Sequence, residues 1–204
     1  MCSSDLEVWE IHGGGFYRIE KFRVAPHLLP DPLYWFKWEA CTTWLSGFAL
    51  FAVVFFLHPQ TSLVDPSVAA LASWQAIVIA AGGLVVAWLA YDAACRALGA
   101  NERLIAALTL GLVIAAAYAS SQLFASRAAF FEVGAMLGTI MAANVFFVII
   151  PGQRKMVDKM LKGEEPNPIY GKRGKQRSVH NTYFTLPVVF AMLDRKSTRL
   201  NSSH

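Results

Sequence analysis

Four long apolar stretches constrain the fold of this chain more than any other feature of its sequence. They cover residues 41–57, 74–91, 104–122 and 129–150. Each is about as long as a helix must be to cross a hydrocarbon core of roughly 30 Å. Only 16% of the residues are charged, which is too few to give four such helices the polar surface of a soluble protein. The sequence therefore predicts an all-α fold, a polytopic transmembrane helix bundle.

The two ends of the chain differ in composition from the membrane domain, which we assign to residues 9–193. Within that domain, residues 182–193 form a fifth apolar run that is too short to cross a membrane. We interpret this run as a partial span, and the chain as a fragment of a larger bundle. We interpret the start, residues 1–8, as foreign or disordered, and the polar tail, residues 194–204, as foreign.

Lysine and arginine residues are concentrated in every second segment between the apolar stretches. Residues 58–73 contain none and residues 123–128 contain a single arginine, whereas residues 151–181 contain eight. Because basic segments tend to stay on the cytoplasmic side of a membrane, we expect 151–181 to be a cytoplasmic loop. The basic block 172–177 is then explained as a topology signal, and we expect no nucleic-acid partner.

The sequence "IIPGQRKM" is expected to end the fourth helix at Pro151 and Gly152, because a proline ring clashes with the preceding helical turn. Gln153 and Arg154 would then face the cytoplasmic mouth of the bundle. Glutamine amides and arginine forks suit planar, anionic, amide-rich ligands. Both residues are therefore candidate ligand-binding residues.

The fourth stretch also contains small and polar residues within its apolar sequence. Gly134, Gly138 and Ala142 form a ridge at the spacing that lets helices approach closely. Glu132 lies near the predicted start of the helix, where we expect the membrane interface to solvate it. Asn144 lies deeper, and polar groups inside a membrane are functional candidates. For Asn144, an interhelical hydrogen bond and a functional role both stay open.

Histidines stand at two places that favour chemistry. His180 lies at the predicted cytoplasmic mouth, with Arg177 and Asn181 beside it. A histidine in such a place can ligate a haem iron, shuttle a proton or bind a substrate. His12 begins "HGGGFY", whose glycines can bring backbone N–H groups close to an anion. A lipase oxyanion hole of this type also needs a G-x-S-x-G turn, which this sequence lacks.

Long motifs in the chain resemble one known family. The sequences "HGGGFY", "WFKWEACTTWLSGFAL", "RAAFFEVGAMLGTIMAANVFFVIIPGQRKMV" and "YGKRGKQRSVHNTYFTLPV" resemble the N-terminal membrane domain of the bacterial cytochrome-c-linked urate hydroxylases, or membrane urate oxidases. The resemblance covers about residues 9–193. It implies a multi-pass protein of the bacterial inner membrane that oxidises urate to 5-hydroxyisourate. It also implies that electrons pass to a c-type cytochrome whose haem c belongs to a separate domain. This chain has no CxxCH motif of its own.

The resemblance gives the candidate residues specific roles. The expected partners are the lipid bilayer, urate and the c-type cytochrome domain or protein. His180 and His12 become candidate catalytic proton acceptors, with a b-type haem ligated by His180 as the open alternative. Two other functions stay open, a haem-bearing electron-transfer subunit and a purine or urate transporter. The candidate substrate-binding residues are Arg154, Gln153, Arg177, Asn181 and Asn144.

Overall fold

The computed structural model describes residues 6–12, 15–21, 37–99 and 101–193 of the 204-residue chain. Most of the described chain is helical, which confirms the predicted helix bundle. The two strands are β1 (Leu6–His12) and β2 (Gly15–Lys21). The helices are α1 (Lys37–Phe55), α2 (Pro59–Ser62), α3 (Ser73–Leu98), α4 (Glu102–Leu123), α5 (Ser126–Asn144), a π-helical turn (Val145–Ile149), α6 (Ile150–Leu161) and α7 (Pro168–Leu193).

The β-hairpin was not predicted from the sequence. Strands β1 and β2 pair antiparallel, from Leu6 opposite Lys21 to His12 opposite Gly15. The two strands are therefore joined within the "HGGGFY" sequence, since its His12 and Gly15 are paired. A glycine-rich turn between two runs of β-branched and aromatic residues was the signal that could have predicted this hairpin.

In the part of the chain that the structure describes, three helices are long and apolar enough to cross a membrane. They are α3, α4 and the continuous helix 126–161, which comprises α5, the π-helical turn and α6. The first predicted span, 41–57, corresponds to a shorter apolar helix, Ala40–Phe55. Large apolar side chains such as Val86 and Leu110 are exposed on the outside of the bundle, as expected where helices face lipid rather than water.

Helix α5 is the centre of the bundle, because α1, α3, α4 and α7 all pack against it. Phe55 of α1 lies in one buried apolar cluster with Ala80 of α3 and Ala128 of α5. A second cluster joins α3, α4 and α5 through Tyr91, Ile105 and Ile140. This second cluster lies beside the polar residues described below.

The helix does not stop at Pro151, so that prediction is wrong. The chain stays helical from Ser126 to Leu161. In a regular α-helix, Pro151 would leave the carbonyl of Phe147 without its donor and press its ring against it. The turn before it is instead π-helical, with Ile150 N–H donating to the carbonyl of Val145. In this wider turn the backbone N–H bonds to the carbonyl five residues earlier instead of four, just before the proline.

Residues 151–181 are also not the loop that the sequence analysis expected. They form α6 and the first part of α7, and only residues 162–167 connect the two helices. The basic block 172–177 therefore lies on a helix. The short fifth run, 182–193, is the apolar second half of the same 26-residue helix.

Two expectations about α5 need correction. A Cβ atom at Gly134 would lie 3.1 Å from Met192 Cγ, whereas one at Gly138 would meet nothing within 4 Å. The ridge of small residues is therefore a close helix contact at Gly134 but not at Gly138. Glu132 is not solvated at the interface, since its side chain is fully buried. Among the described residues, neither of its carboxylate oxygens has a hydrogen-bond partner.

Candidate anion-binding site and buried polar network

The centre of the candidate site is a buried ion pair between α3 and α7. Arg177 Nη2 donates to Asp92 Oδ1 at 2.6 Å, and both residues are buried. The other carboxylate oxygen of Asp92 accepts from Arg96 Nε at 2.6 Å, one turn later on α3. Both oxygens of Asp92 are thus held by guanidinium groups. Such pairing is what allows charged groups to be buried, because an unpaired buried charge is very costly.

Tyr91 supports Arg177 from the side. The Cζ atom of Arg177 lies 4.8 Å from the centre of the Tyr91 ring, within the range of a cation–π contact. The ring of Phe184 meets Tyr91 edge-on, with centroids 5.7 Å apart. The guanidinium is therefore fixed by an aromatic face as well as by Asp92.

Asn144 links α5 to this network and is fully buried. Its Oδ1 accepts from Arg177 Nη1 at 3.4 Å, and its Nδ2 donates to Asn181 Oδ1 at 3.0 Å. Asn181 in turn donates to the carbonyl oxygen of Met141 at 3.0 Å. Both asparagines therefore make hydrogen bonds between α5 and α7. Asn144 also holds the guanidinium of Arg177 from behind.

Both ring nitrogens of His180 are engaged. Nδ1 lies 2.7 Å from Tyr91 Oη, and Nε2 lies 3.0 Å from Glu102 Oε2. Because a carboxylate can only accept hydrogen bonds, Nε2 of the neutral ring carries the proton, and Nδ1 accepts from the tyrosine hydroxyl. The ring as placed presents no free nitrogen to an iron atom. His180 therefore does not fit the predicted role of haem ligand.

A cavity of about 550 Å³ opens beside the ion pair, between α3, α6 and α7. Five basic side chains line it, but only two acidic ones, and Asp92 is already paired with two of the arginines. The excess of positive charge favours an anion. Phe147 and Tyr170 add aromatic groups to the lining, and Lys155 Nζ lies 5.1 Å from the centre of the Tyr170 ring. The charged lining residues are Asp92, Arg96, Glu102, Lys155, Lys172, Arg173 and Arg177.

The structure brings together some of the residues predicted from the sequence and separates others. Arg177 lines the cavity, with Asn144 and Asn181 behind it. Gln153 and Arg154 are exposed on α6 and are not among the lining residues. His12 lies on β1, and its side chain is outside the part of the chain whose side chains the structure describes.

Several residues of the site were missed by the sequence analysis. Asp92 and Arg96 had a signal, because they are charged residues four apart in a helix that is otherwise apolar. Glu102 and Gln176 had no such signal. Gln176 Nε2 donates to Glu102 Oε1 and to the carbonyl of Gly99, both at 2.9 Å. That contact depends on how α7 packs against the turn between α3 and α4.

Comparison with known families identifies the chain. The family model described as "Urate oxidase N-terminal" matches residues 3–202. The chain belongs to the urate oxidase N-terminal family. In this family member, the basic cavity and the buried network are formed by α3, α4, α5, α6 and α7. No curated protein and no solved structure matches the chain. The match includes most of the two end segments, 1–8 and 194–204, whose foreign origin stays a prediction.

Proposed function

We propose that this chain is the membrane module of a bacterial urate hydroxylase, which oxidises urate to 5-hydroxyisourate and passes electrons to a c-type cytochrome. Membership of the urate oxidase N-terminal family supports the choice of substrate. The observation that carries the proposal is the cavity beside Arg177, where basic side chains exceed acidic ones. In the described part of the chain, this cavity is where we place urate.

Urate suits the charge and the aromatic lining of the cavity. Near neutral pH it is a planar anion with carbonyl oxygens and ring N–H groups along its edges. Arg177 uses Nη2 for Asp92 and Nη1 for Asn144, and a guanidinium has further N–H donors for a ligand. Phe147 and Tyr170 contribute aromatic surface to the lining. Charge-assisted hydrogen bonds from a fixed guanidinium fork would then hold one edge of the ring.

The proposed reaction adds a hydroxyl group from water to carbon 5 of urate. Two protons and two electrons are released, and the electrons reduce the ferric haem c of a separate domain or protein. The contribution of this chain is to bind and orient urate and to accept protons. His180 does not line the cavity and reaches it through Glu102. His12 stays a candidate proton acceptor.

We propose that the cavity lies on the cytoplasmic side of the bacterial inner membrane, and the distribution of charge supports this. The exposed basic residues of α6 and α7 lie at the same end of the bundle as the cavity, and Lys155, Lys172 and Arg173 are part of its wall. By the positive-inside rule, this end faces the cytoplasm. Urate would then enter from the compartment in which purines are broken down.

The first experiment gives membranes that contain this chain both urate and oxidised cytochrome c. We expect urate to disappear while about two cytochromes are reduced for each urate, as the stoichiometry above requires. Membranes without the chain are the control. Urate loss without cytochrome reduction would contradict the proposed electron acceptor. Absence of urate loss would contradict the proposal that this chain supports urate oxidation.

A further inference from the structure

The two acidic residues of the cavity differ in how they are neutralised. Asp92 has an arginine on each carboxylate oxygen, at 2.6 Å in both cases. Glu102 has Gln176 Nε2 at 2.9 Å from Oε1 and His180 Nε2 at 3.0 Å from Oε2. Among the described residues, these contacts include no lysine or arginine. Glu102 therefore remains a hydrogen-bond acceptor in a wall that is otherwise rich in donors.

We propose that Glu102 is the specificity-determining residue of the cavity, and that it selects planar anions that also carry ring N–H groups. This inference rests on the proposed function and names the chemical class that the site accepts. The basic side chains by themselves would bind any small anion, including sulfate and phosphate. A carboxylate in the same wall repels those oxyanions but accepts a hydrogen bond from a ring N–H. Oxopurine anions such as urate carry both groups.

Two neighbours fix the position of this carboxylate. Each oxygen of Glu102 accepts one of the bonds above, and a carboxylate oxygen has a second lone pair free for a ligand. The Glu102 side chain is 58% exposed, whereas the His180 side chain is only 12% exposed. The largely covered imidazole thus orients the more exposed carboxylate. His180 is a positioning residue that acts on the ligand through Glu102.

Tyr91 fixes His180 in turn. Its hydroxyl lies 2.7 Å from His180 Nδ1, and Asn144 Nδ2 donates to the same hydroxyl oxygen at 3.4 Å. The tyrosine proton is thereby directed to Nδ1, which leaves the imidazole proton on Nε2, facing Glu102. A chain of hydrogen bonds therefore runs from the interior of the bundle to the cavity wall. It determines that His180 presents an N–H donor to Glu102.

The test compares the affinities of purified protein in zwitterionic lipid nanodiscs for urate and for sulfate. Isothermal titration calorimetry gives both dissociation constants, and their ratio is the selectivity. In Glu102→Gln we expect urate affinity to fall about tenfold or more, because a hydrogen bond to a charged acceptor is lost. Sulfate affinity should rise, since the repulsive charge is gone. Urate methylated on its ring nitrogens should bind wild-type protein more weakly than urate does. This difference in affinity should be smaller in Glu102→Gln.

Control variants separate selectivity from folding. Glu164→Gln removes an exposed carboxylate that is paired with Lys159 outside the cavity wall, and it should leave the selectivity unchanged. Tyr91→Phe keeps the aromatic ring but removes the hydroxyl, so it should lower the selectivity for urate by less than Glu102→Gln does.

The outcomes distinguish this inference from the proposed function. If wild-type protein binds urate and Glu102→Gln keeps the wild-type ratio of urate to sulfate affinity, the role of Glu102 is refuted and the urate site stands. If wild-type protein binds sulfate but not urate, both the inference and the proposed urate site are refuted.

Discussion

Asp92 on α3 and Arg177 on α7 form a buried ion pair, with 2.6 Å between Oδ1 and Nη2, and the two residues are not equally dependent on each other. Asp92 has a second cation, Arg96, whose side chain is 70% exposed. Arg177 is 4% exposed and, among the described residues, has Asn144 and the ring of Tyr91 as its other contacts. Loss of Asp92 would therefore leave a buried charge without a counterion, whereas loss of Arg177 would not.

This asymmetry predicts that Asp92→Asn destabilises the protein more than Arg177→Met does. Removing one partner of a buried pair typically costs about 3–5 kcal/mol, and we expect Asp92→Asn to fall in that range. The double variant Asp92→Leu/Arg177→Met should recover most of the lost stability, because no buried charge remains. Unfolding in mixed detergent micelles measures the free energy of unfolding of the two single variants and the double variant. Equal losses in the two single variants would contradict the asymmetry.

The contact of Gly134 with α7 predicts a difference between two glycines of the same helix. In Gly134→Ala the new Cβ would lie 3.1 Å from Met192 Cγ and 3.3 Å from Ala191 Cβ, so α7 must shift. We expect a loss of about 1–3 kcal/mol in the free energy of unfolding, as for other overpacked contacts. Gly138→Ala meets nothing within 4 Å and should be neutral or stabilising, since alanine is the better helix former. Similar effects at both positions would show that the α5–α7 contact differs from the one described.

The buried carboxylate of Glu132 predicts a stabilising substitution. Its two oxygens have no hydrogen-bond partner among the described residues, so replacement by an apolar side chain of similar length removes an unsatisfied polar group. We expect Glu132→Met to raise the free energy of unfolding by about 1–3 kcal/mol. Asn144→Leu is the matched comparison, because Asn144 is equally buried but fully hydrogen-bonded, and it should be destabilising. A destabilised Glu132→Met would mean that the carboxylate has a partner.

The cavity wall predicts which lysine of α7 affects urate binding. Lys172 lines the cavity, whereas Lys175 is exposed on the same helix and does not. Lys172→Gln should weaken urate binding about fivefold, because a charge at the rim contributes about 1 kcal/mol in a high-dielectric setting. The effect should shrink as salt is added. Lys175→Gln should leave the dissociation constant near the wild-type value. Arg154→Lys, outside the lining, should also have little effect. A larger effect at Lys175 would place the anion elsewhere.

The hydrogen bonds of Asp65 predict that the stability of the connection between α2 and α3 depends on pH. Its Oδ1 accepts hydrogen bonds from the Ser67 hydroxyl at 2.6 Å and from the Ser67 backbone N–H at 2.9 Å, and these bonds lower the pKa of Asp65. A depressed pKa means that the stabilisation is present above the ordinary carboxyl value and is lost as the pH falls through the folded-state value. Hydrogen exchange of the Ser67 amide should therefore be protected above about pH 5 and lose protection below about pH 4. Asp65→Asn, which keeps an acceptor but cannot titrate, should remove this pH dependence.

The sequence by itself determined the membrane bundle and part of the site. Long apolar stretches with few charges leave helices as the main way to satisfy the backbone in lipid, so the spans could be predicted from length and composition. Asn144 could be named because polar groups are rare and costly inside a membrane. Arg177 and Asn181 could be named because they stand beside His180 at the predicted cytoplasmic mouth. The family could be recognised because its motifs are long and continuous in the chain.

Only the tertiary structure decided which polar groups meet. The sequence could not show that the helix continues through a π-helical turn past Pro151. For that reason it also could not show that Gln153 and Arg154 are exposed on α6 while Lys155 lines the cavity. It also could not show that both nitrogens of His180 are taken by Tyr91 and Glu102. Those contacts join residues 78 and 89 positions apart along the chain. They depend on the rotation of α3, α4 and α7 about their axes, which is set by packing rather than by local sequence.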